Sequence, residues 1–345
     1  MTPAARPRAP RWADWPTERL LDLRFKDLGL RIEGTWLERC ITRLHQELAD
    51  RGLSVRPHVW LAEEWFSPTG IPGVALPFYL AHSRLIRLER HMMLEAEGAT
   101  REECMKLLRH EAGHVVQHAY QVERKRRWQR AFGRSSDPYP EYYWPDPASR
   151  AFVQHLDGWY AQSHPDEDFA ETFAVWLRPR AGWRRRYASW PDALHKLEVV
   201  DELMGELAGQ APEVRRRARP HAIERLGKTL REHYREKRAR YAGSYSQAYD
   251  EDLRRVFGSR EAGRGHPTAA AFIRRHRREL AERVCSFSGE YRFTVDQLLK
   301  EMTARCTELR LRSSKPVERQ KLDFAIFLAV QTSKTLHRGP GWHPL

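Results

Sequence analysis

Two histidines with a glutamate between them are the residues of this sequence best suited to chemistry. His110, Glu111 and His114 form an H-E-x-x-H pattern. On an α-helix, positions i and i+4 lie one above the other on the same face, so both imidazoles can reach one metal ion. Glu111 then lies beside that ion, where its carboxylate can act as a general base on a metal-activated water. The spacing therefore predicts a hydrolytic zinc site.

The residues around this pattern support a helix. A chance H-E-x-x-H is expected about once in fifteen chains with this histidine content, so the five letters alone are weak evidence. Thr100 and Glu103 have the spacing of a capping box, and apolar residues recur at helical spacing from Met105 to Ala119. Gly113 costs a helix about 1 kcal/mol relative to alanine, which is tolerable if another segment packs tightly beside it. The alternative is a surface helix that stacks two histidines.

A catalytic zinc usually needs a third protein ligand and keeps one position open. Position 120 is tyrosine, so the third histidine of the metzincin pattern is absent. His118 lies on the same helical face, but a full turn too far along to join the other two on one ion. We interpret His118 as a polar residue of the cleft, and we look for the third ligand downstream.

Two glutamates in a second predicted helix offer that ligand. Pro165 suits the first turn of a helix, and the acidic residues 166–168 suit the positive end of its dipole. Glu167 and Glu171 are four residues apart, so their carboxylates repel unless a cation or a donor lies beside them. Zinc bound by Glu167, with Glu171 orienting a ligand histidine, removes this conflict. The alternative is an ordinary acidic first turn.

The order of these residues resembles the gluzincin arrangement of anthrax lethal factor and the Pro-Pro endopeptidases. Tyr160 stands seven residues before Glu167, and Glu171 stands four after it. The resemblance implies that Glu167 is the zinc ligand, that Glu171 lies behind a ligand, and that Tyr160 stabilises the oxyanion. It covers only these motifs and the insertion between them, so substrates do not carry over.

A longer stretch, from Trp65 to about Trp190, is similar to a bacterial family described as putative zinc-binding metallopeptidases. The shared phrases are PFYLAH, RLERHMMLE, LRHEAGH, WYAQSHPDEDFAETFAVWL and LEVVDELM. This resemblance implies a zinc-dependent peptidase and names no substrate.

The predicted function is therefore a zinc-dependent metallopeptidase that hydrolyses peptide bonds with Glu111 as general base. Tyr160 has an alternative role in packing, because it belongs to a group of aromatic residues between the two motifs. The same metal chemistry can also hydrolyse a non-peptide amide. A different class is a non-catalytic zincin-fold protein that binds nucleic acid or an acidic partner through its basic C-terminal region, although such a protein has no need of Glu111.

Charge divides the chain. The whole formal excess of +14 lies in residues 211–345, whereas residues 1–210 are balanced. Residues 205–212 have the composition of a linker. We predict a zincin-like metallopeptidase domain at 1–210 and a basic helical domain at 211–345. Basic runs in the second domain can bind nucleic acid or an acidic partner, and the alternative is a solvated basic face.

The expected fold class is α+β and mostly helical: a zincin-like domain with a small sheet, followed by an all-helical region. Helices are predicted at 36–51, 100–130, 149–162, 166–178, 191–208, 221–241, 246–257, 268–285, 294–310 and 316–335. Strands are predicted at 54–61, 74–80 and 84–89. Zincins pair an extended substrate with the edge strand of the sheet, and 84–89 is the candidate for that strand. The proline-rich residues 138–147 are expected to form a rigid loop at the cleft edge.

Composition predicts a cytoplasmic protein that contacts no membrane. Charged residues make up 31% of the chain, and mean hydropathy is −0.73. No apolar run is long enough to span a bilayer, and residues 1–16 lack the apolar core of a signal peptide. The cysteines are widely separated and are expected to be reduced and mostly packed: Cys40, Cys104, Cys285 and Cys306.

Overall fold

The structure is a computed structural model that describes residues 10–140, 143, 145–241, 250–258 and 265–336. The described residues form two compact units. The first consists of residues 10–92 and 96–235, and the second consists of residues 93–95 and 236–336. The boundary predicted after residue 210 rests on charge and stays a prediction. None of the described helices is long and apolar enough to span a bilayer.

Helices dominate the described part of the first unit. The α-helices that begin in it are α1 (Thr17–Leu21), α2 (Trp36–Asp50), α3 (Ser83–Met93), α4 (Arg101–Tyr120), α5 (Arg126–Phe132), α6 (Pro165–Leu177), α7 (Trp183–Arg186), α8 (Pro191–Leu207) and α9 (Leu230–Tyr241). Short 3₁₀ turns lie at Arg11–Asp14, Phe25–Asp27, Phe78–Ala81, Val122–Arg124, Asp157–Gln162 and Ile223–Arg225.

A small parallel sheet precedes α4. Its strands are β1 (His58–Ala62) and β2 (Gly73–Pro77), and His58 pairs with Gly73 at the start of both. On the other side of β2, Phe66 forms an antiparallel bridge with Ala75 through N···O distances of 3.4 and 2.9 Å. The segment around Phe66 is therefore an edge of this sheet. The mostly helical α+β class is confirmed, and β1 and β2 overlap two of the predicted strands.

The third predicted strand is wrong, because residues 84–89 lie in α3. The buried apolar side chains of this segment and its continuation are Leu85, Leu88 and Met93, which have helical spacing. The segment has only six residues, so its apolar pattern fits the period of a helix as well as that of a strand. The edge of the sheet lies at Phe66 instead.

Three predicted helices differ from the observed ones. The helix predicted at 100–130 is interrupted at Gln121, whose left-handed φ of 51° ends α4, and α5 starts only at Arg126. Of the helix predicted at 149–162, only the 3₁₀ turn Asp157–Gln162 forms, because Gly158 and Trp159 have left-handed backbone conformations. The helix predicted at 221–241 begins at Leu230.

Helices α4 and α6 approach closely at Gly113. A Cβ atom built on Gly113 would lie 2.7 Å from Cα of Ala170 and 3.1 Å from its Cβ, so only glycine fits without movement. The close packing expected beside Gly113 is thus confirmed. The capping box at the start of α4 is confirmed as well, with Thr100 and Glu103 bonding each other's backbone N–H. Helix α6 is buried at every residue from Asp166 to Leu177.

After α8 the chain returns to the sheet. The Trp60 indole N–H donates to the carbonyl of Pro220 at 2.9 Å, and Nε2 of His58 lies 2.8 Å from the carbonyl oxygen of Ala218. Further along, Glu63 accepts hydrogen bonds from Lys228 at 2.6 Å and from His233 at 2.8 Å. These bonds fix residues 218–233 against β1 and the segment that follows it.

The described part of the second unit contains the helices α10 (Asp250–Val256), α11 (Ala269–Ser288), α12 (Arg292–Glu308) and α13 (Val317–Leu336). They surround a core of buried apolar side chains that includes Leu253, Phe257, Phe272, Leu299 and Phe324. The helices predicted at 268–285, 294–310 and 316–335 are confirmed. The helix predicted at 246–257 is present from Asp250, and residues 246–249 lie outside the described residues.

The contact at Gly113 leads to a first prediction. Gly113→Ala should lower the free energy of unfolding by about 1–3 kcal/mol, because the new Cβ forces α4 and α6 apart. In α8, nothing lies within 4 Å of a Cβ built on Gly205, so Gly205→Ala should raise the free energy of unfolding by about 0.5–1 kcal/mol. Urea unfolding followed by tryptophan fluorescence compares the two variants. Wild-type stability of Gly113→Ala would show that the helices are not in this contact.

A second prediction concerns Glu63. Burial acts to raise the pKa of Glu63, but hydrogen bonds from His233 and Lys228 lower it from 4.5 to about 2. Because the folded-state pKa lies below the unfolded one, this carboxylate stabilises the fold above pH 4.5 and loses that effect as the pH falls towards 2. Glu63→Gln should therefore be less stable than wild type at pH 7, by about 1–2 kcal/mol once solvent screening of this partly exposed pair is included.

That difference between wild type and Glu63→Gln should shrink steadily below pH 4.5. Urea midpoints measured from neutral pH down to the acid limit of folding test it. If the stability difference between wild type and Glu63→Gln did not change with pH, the ionised Glu63 carboxylate would not be the source of that stability.

Candidate metal centre

The packing of α4 on α6 brings the three predicted ligands together. His110 and His114 lie one turn apart on α4, and Glu167 lies in the first turn of α6. The Nε2 atoms of the two histidines are 3.2 Å apart. Oε2 of Glu167 lies 3.1 Å from Nε2 of His110 and 3.2 Å from Nε2 of His114. The three atoms form a nearly equilateral triangle.

This triangle has the dimensions of a zinc site. Ligand atoms that lie about 2.0 Å from a tetrahedral zinc ion are about 3.3 Å from one another, close to the observed edges. The side chains of His110, His114 and Glu167 are 5%, 12% and 5% exposed. Three protein ligands leave a fourth position, as in catalytic rather than structural zinc sites. The residues present therefore fit a zinc ion.

Glu171 lies directly behind His110. Its Oε1 is 2.8 Å from Nδ1 of His110, and its Oε2 accepts a hydrogen bond from the backbone N–H of Leu156 at 2.7 Å. A histidine that donates from Nδ1 to a carboxylate has its Nε2 lone pair available for a metal. Glu171 thus presents Nε2 of His110 to the other two atoms of the triangle.

The electrostatics of the cluster favour a cation. Burial acts to lower the pKa of His110, but the carboxylates of Glu167 and Glu171 raise it well above its ordinary value. The pKa of His114 is raised in the same way, against burial, by Glu167. Burial acts to raise the pKa of Glu167, which the two histidines nevertheless lower. Positive charge is therefore stabilised at the point where the side chains meet.

Glu111 lies beside this three-residue cluster, one position after His110 on α4. Burial raises its pKa, while the neighbouring His110 and His114 act to lower it. Its Oε2 is buried and has no hydrogen-bond partner among the described residues. A buried carboxylate oxygen is costly unless something donates to it, so Glu111 is suited to contact a molecule bound at the centre. The Ser67 hydroxyl donates to the Glu111 backbone carbonyl at 3.3 Å, which places the edge segment of the sheet against this turn of α4.

Tyr160 lies beside the cluster with its ring centroid 5.7 Å from that of His110. It belongs to the 3₁₀ turn Asp157–Gln162 and is 4% exposed. Burial and the charge of Glu167 raise its pKa well above the ordinary value, so its hydroxyl stays protonated at neutral pH. The structure thus brings Tyr160 next to a predicted ligand, and both of its predicted roles remain compatible with this position.

Tyr139 is a site residue that sequence reasoning missed. Its hydroxyl donates to Oε1 of Glu167 at 2.9 Å, while Oε2 of the same carboxylate faces the histidines. Its ring stacks on His164 with a centroid separation of 3.7 Å, and His164 is the N-cap of α6. Tyr139 therefore fixes which oxygen of Glu167 points at the triangle. The only signal in the sequence was its place in the proline-rich loop predicted at the cleft edge.

His118 takes no part in the three-residue cluster found among the described residues. It lies one turn beyond His114 on α4, and burial lowers its pKa to about 4. Besides Tyr139, the sequence analysis also missed His155, which lies near Glu171. Nε2 of His155 is 2.9 Å from the carbonyl oxygen of Lys106. Burial also lowers the pKa of His155, so this imidazole near Glu171 is neutral at neutral pH.

Comparison with known proteins agrees with this geometry. Residues 95–184, about a quarter of the chain, match the model of a family described as "Putative zinc-binding metallo-peptidase". The matched part contains α4 and α6 and hence His110, His114 and Glu167. Comparisons with curated proteins and with solved structures give no match. The family match and the cluster both support a zinc-binding metallopeptidase.

The contact of Tyr139 with Glu167 leads to a third prediction. Tyr139→Phe keeps the stacked ring but removes the hydrogen bond, so zinc affinity should fall about 10-fold. Tyr143→Phe is the matched control, because the Tyr143 hydroxyl donates to the carbonyl of Gly158 at 2.8 Å. Titration against a chromophoric chelator measures both affinities. Equal affinities of the two variants would mean that Tyr139 does not orient the ligand.

Proposed function

We propose that this protein is a zinc-dependent peptidase of the gluzincin type, with His110, His114 and Glu167 as the metal ligands. The observation that carries the proposal is the triangle of ligand atoms with edges of 3.1–3.2 Å beside the buried carboxylate of Glu111. A protein that only binds partners gains nothing from a buried carboxylate oxygen that lacks a hydrogen-bond donor next to a metal site. Its cost in stability is better explained by catalysis.

Zinc bound to such a ligand set makes water nucleophilic near neutral pH and polarises a carbonyl group. The remaining tasks fall to the side chains. Glu111 accepts a proton from the attacking water and delivers it to the departing amine. Its orphaned Oε2 is the atom available for this proton.

Tyr160 donates a hydrogen bond to the oxygen that becomes negative when the peptide carbonyl is attacked. Its raised pKa keeps the proton on the hydroxyl throughout, as a donor to an oxyanion requires. Two further residues hold the ligands in place: Glu171 orients His110, and Tyr139 orients Glu167. We assign catalytic roles to Glu111 and Tyr160, and positioning roles to Glu171 and Tyr139.

An extended peptide fits the edge of the sheet at Phe66. The N–H and C=O of Phe66 bond Ala75, so those of the adjacent Trp65 and Ser67 point away from β2. A substrate strand that pairs with this edge passes the turn of α4 that carries Glu111, because Ser67 contacts that turn. This geometry favours a peptide over a small amide as the substrate.

The mechanism gives a fourth prediction, for Glu111→Gln. The amide keeps the shape of the side chain but accepts no proton, so turnover should fall by about 100-fold or more. Zinc content should equal that of wild type, because Glu111 is not a ligand. Peptide-library cleavage and metal analysis measure the two quantities. Wild-type cleavage by Glu111→Gln would exclude this mechanism.

Loss of the metal gives a further expected outcome. A chelator should abolish cleavage by wild type, and added zinc should restore it. Glu167→Ala should lose most of its zinc, because it removes one of three ligands from a buried site that stabilises positive charge. An intact zinc stoichiometry in Glu167→Ala would contradict its role as a ligand.

A further inference from the structure

A cavity lined by arginines lies in the first unit, outside the metal centre. Its volume is about 360 Å³, and Ile71 and Arg225 line it together with residues 216–220. The arginines at its walls are Arg216, Arg217, Arg219 and Arg225. We call this feature the arginine cavity.

The two walls of the arginine cavity are tied together by His58. Its Nδ1 lies 2.9 Å from the carbonyl oxygen of Pro72, next to Ile71, and its Nε2 lies 2.8 Å from the carbonyl oxygen of Ala218. Gly73 leaves room for this ring, since a Cβ there would lie 2.5 Å from Cε1 of His58. The two walls of the cavity are therefore held in place by contacts of the His58 ring with their backbone carbonyl oxygens.

The charge in the arginine cavity is only partly balanced. Arg219 forms an ion pair with Glu224 at 3.1 Å. Among the described residues, Arg216, Arg217 and Arg225 form neither an ion pair nor a side-chain hydrogen bond, and all three are exposed. Three guanidinium groups around one hollow repel one another unless an anion lies between them. The cavity is thus suited to a carboxylate or a phosphate.

The arginine cavity is close to the path proposed for the substrate. The edge residue Phe66 contacts His221, just beyond the arginine segment, with ring centroids 6.0 Å apart. The next residue, Ser67, contacts α4 at Glu111, and Ile71 of the cavity follows four residues later. Four residues span at most about 14 Å. A peptide that lies along this edge can therefore reach from Glu111 to the cavity within about four residues.

We propose that the arginine cavity binds an acidic side chain of an extended peptide substrate, within about four residues of the scissile bond. This proposal rests on the proposed peptidase function and names its substrate class. The position beside the edge segment favours a peptide. A volume of about 360 Å³ holds one or two side chains and does not accommodate a nucleic-acid helix.

The test uses the full-length, zinc-loaded Glu111→Gln protein, which holds a peptide without cleaving it. Fluorescein-labelled peptides that carry a pair of glutamates at successive positions are compared, by anisotropy, with peptides that carry glutamines instead. We expect the best glutamate peptide to bind at least about tenfold more tightly than its glutamine counterpart. Adding Arg216→Gln and Arg217→Gln should remove this preference. Equal binding of the two peptides would overturn the proposal.

The matched control is Arg126→Gln with Arg130→Gln on α5, which makes the same change in net charge outside the cavity. This control variant should keep the preference for the glutamate peptide. If it lost the preference to the same extent as the cavity variant, net charge alone would explain the preference and the proposal would be overturned. A single-stranded oligo-dT probe is the third arm. If it binds through Arg216 and Arg217 while the glutamate peptides do not, the cavity recognises nucleic-acid phosphates and the peptide proposal is wrong.

The two proposals fail in different ways. If the protein with Glu111 intact cleaves no peptide, the peptidase function fails, and the binding preference of the Glu111→Gln protein is still measured. If it cleaves peptides but shows no enrichment of Asp or Glu near the cut bond, only the role of the arginine cavity fails.

Discussion

The candidate metal centre depends on one close contact, in which α6 packs against α4 at Gly113 with its backbone at Ala170. At Gly113 even a methyl group would lie 2.7 Å from Cα of Ala170. One turn of helix separates this contact from His110, and the same short distance brings the carboxylate of Glu167 to both histidines. The two helix backbones therefore set the distance between the ligand residues, and Glu171 and Tyr139 then orient the side chains of His110 and Glu167.

A second constraint is electrostatic. Helix α6 is buried from Asp166 to its end at Leu177, although its first turn carries three carboxylates. Asp166 accepts hydrogen bonds from Gln117 and Ser135, and Asp168 pairs with Lys196 at 2.6 Å. The carboxylate of Glu167, between them, instead faces two histidines and a tyrosine hydroxyl. The fold thus provides donors from its own side chains for Asp166 and Asp168, whereas the arrangement around Glu167 favours a cation.

The sequence predicted the parts of the site that lie on helices, because helical spacing converts directly into position on a face. His110, His114 and Glu167 were found in this way. Contacts made by loops could not be predicted in this way. The approach of Tyr139 to Glu167 depends on tertiary packing, and no periodic pattern in the sequence indicates it. The strand prediction for residues 84–89 was wrong for a related reason. A segment this short fits strand and helix spacing alike, and its packing against neighbouring residues decides between them.

The return of the chain to the sheet after α8 limits how this protein can be shortened. A truncation after residue 210 would follow the change in charge, but it would remove Lys228 and His233 and leave the carboxylate of Glu63 without these two hydrogen-bond donors. It would also remove the carbonyl groups that bond the side chains of His58 and Trp60. A fragment that keeps the candidate metal centre folded should therefore extend at least to the end of α9, so the first part of the basic region is a structural component of the first unit.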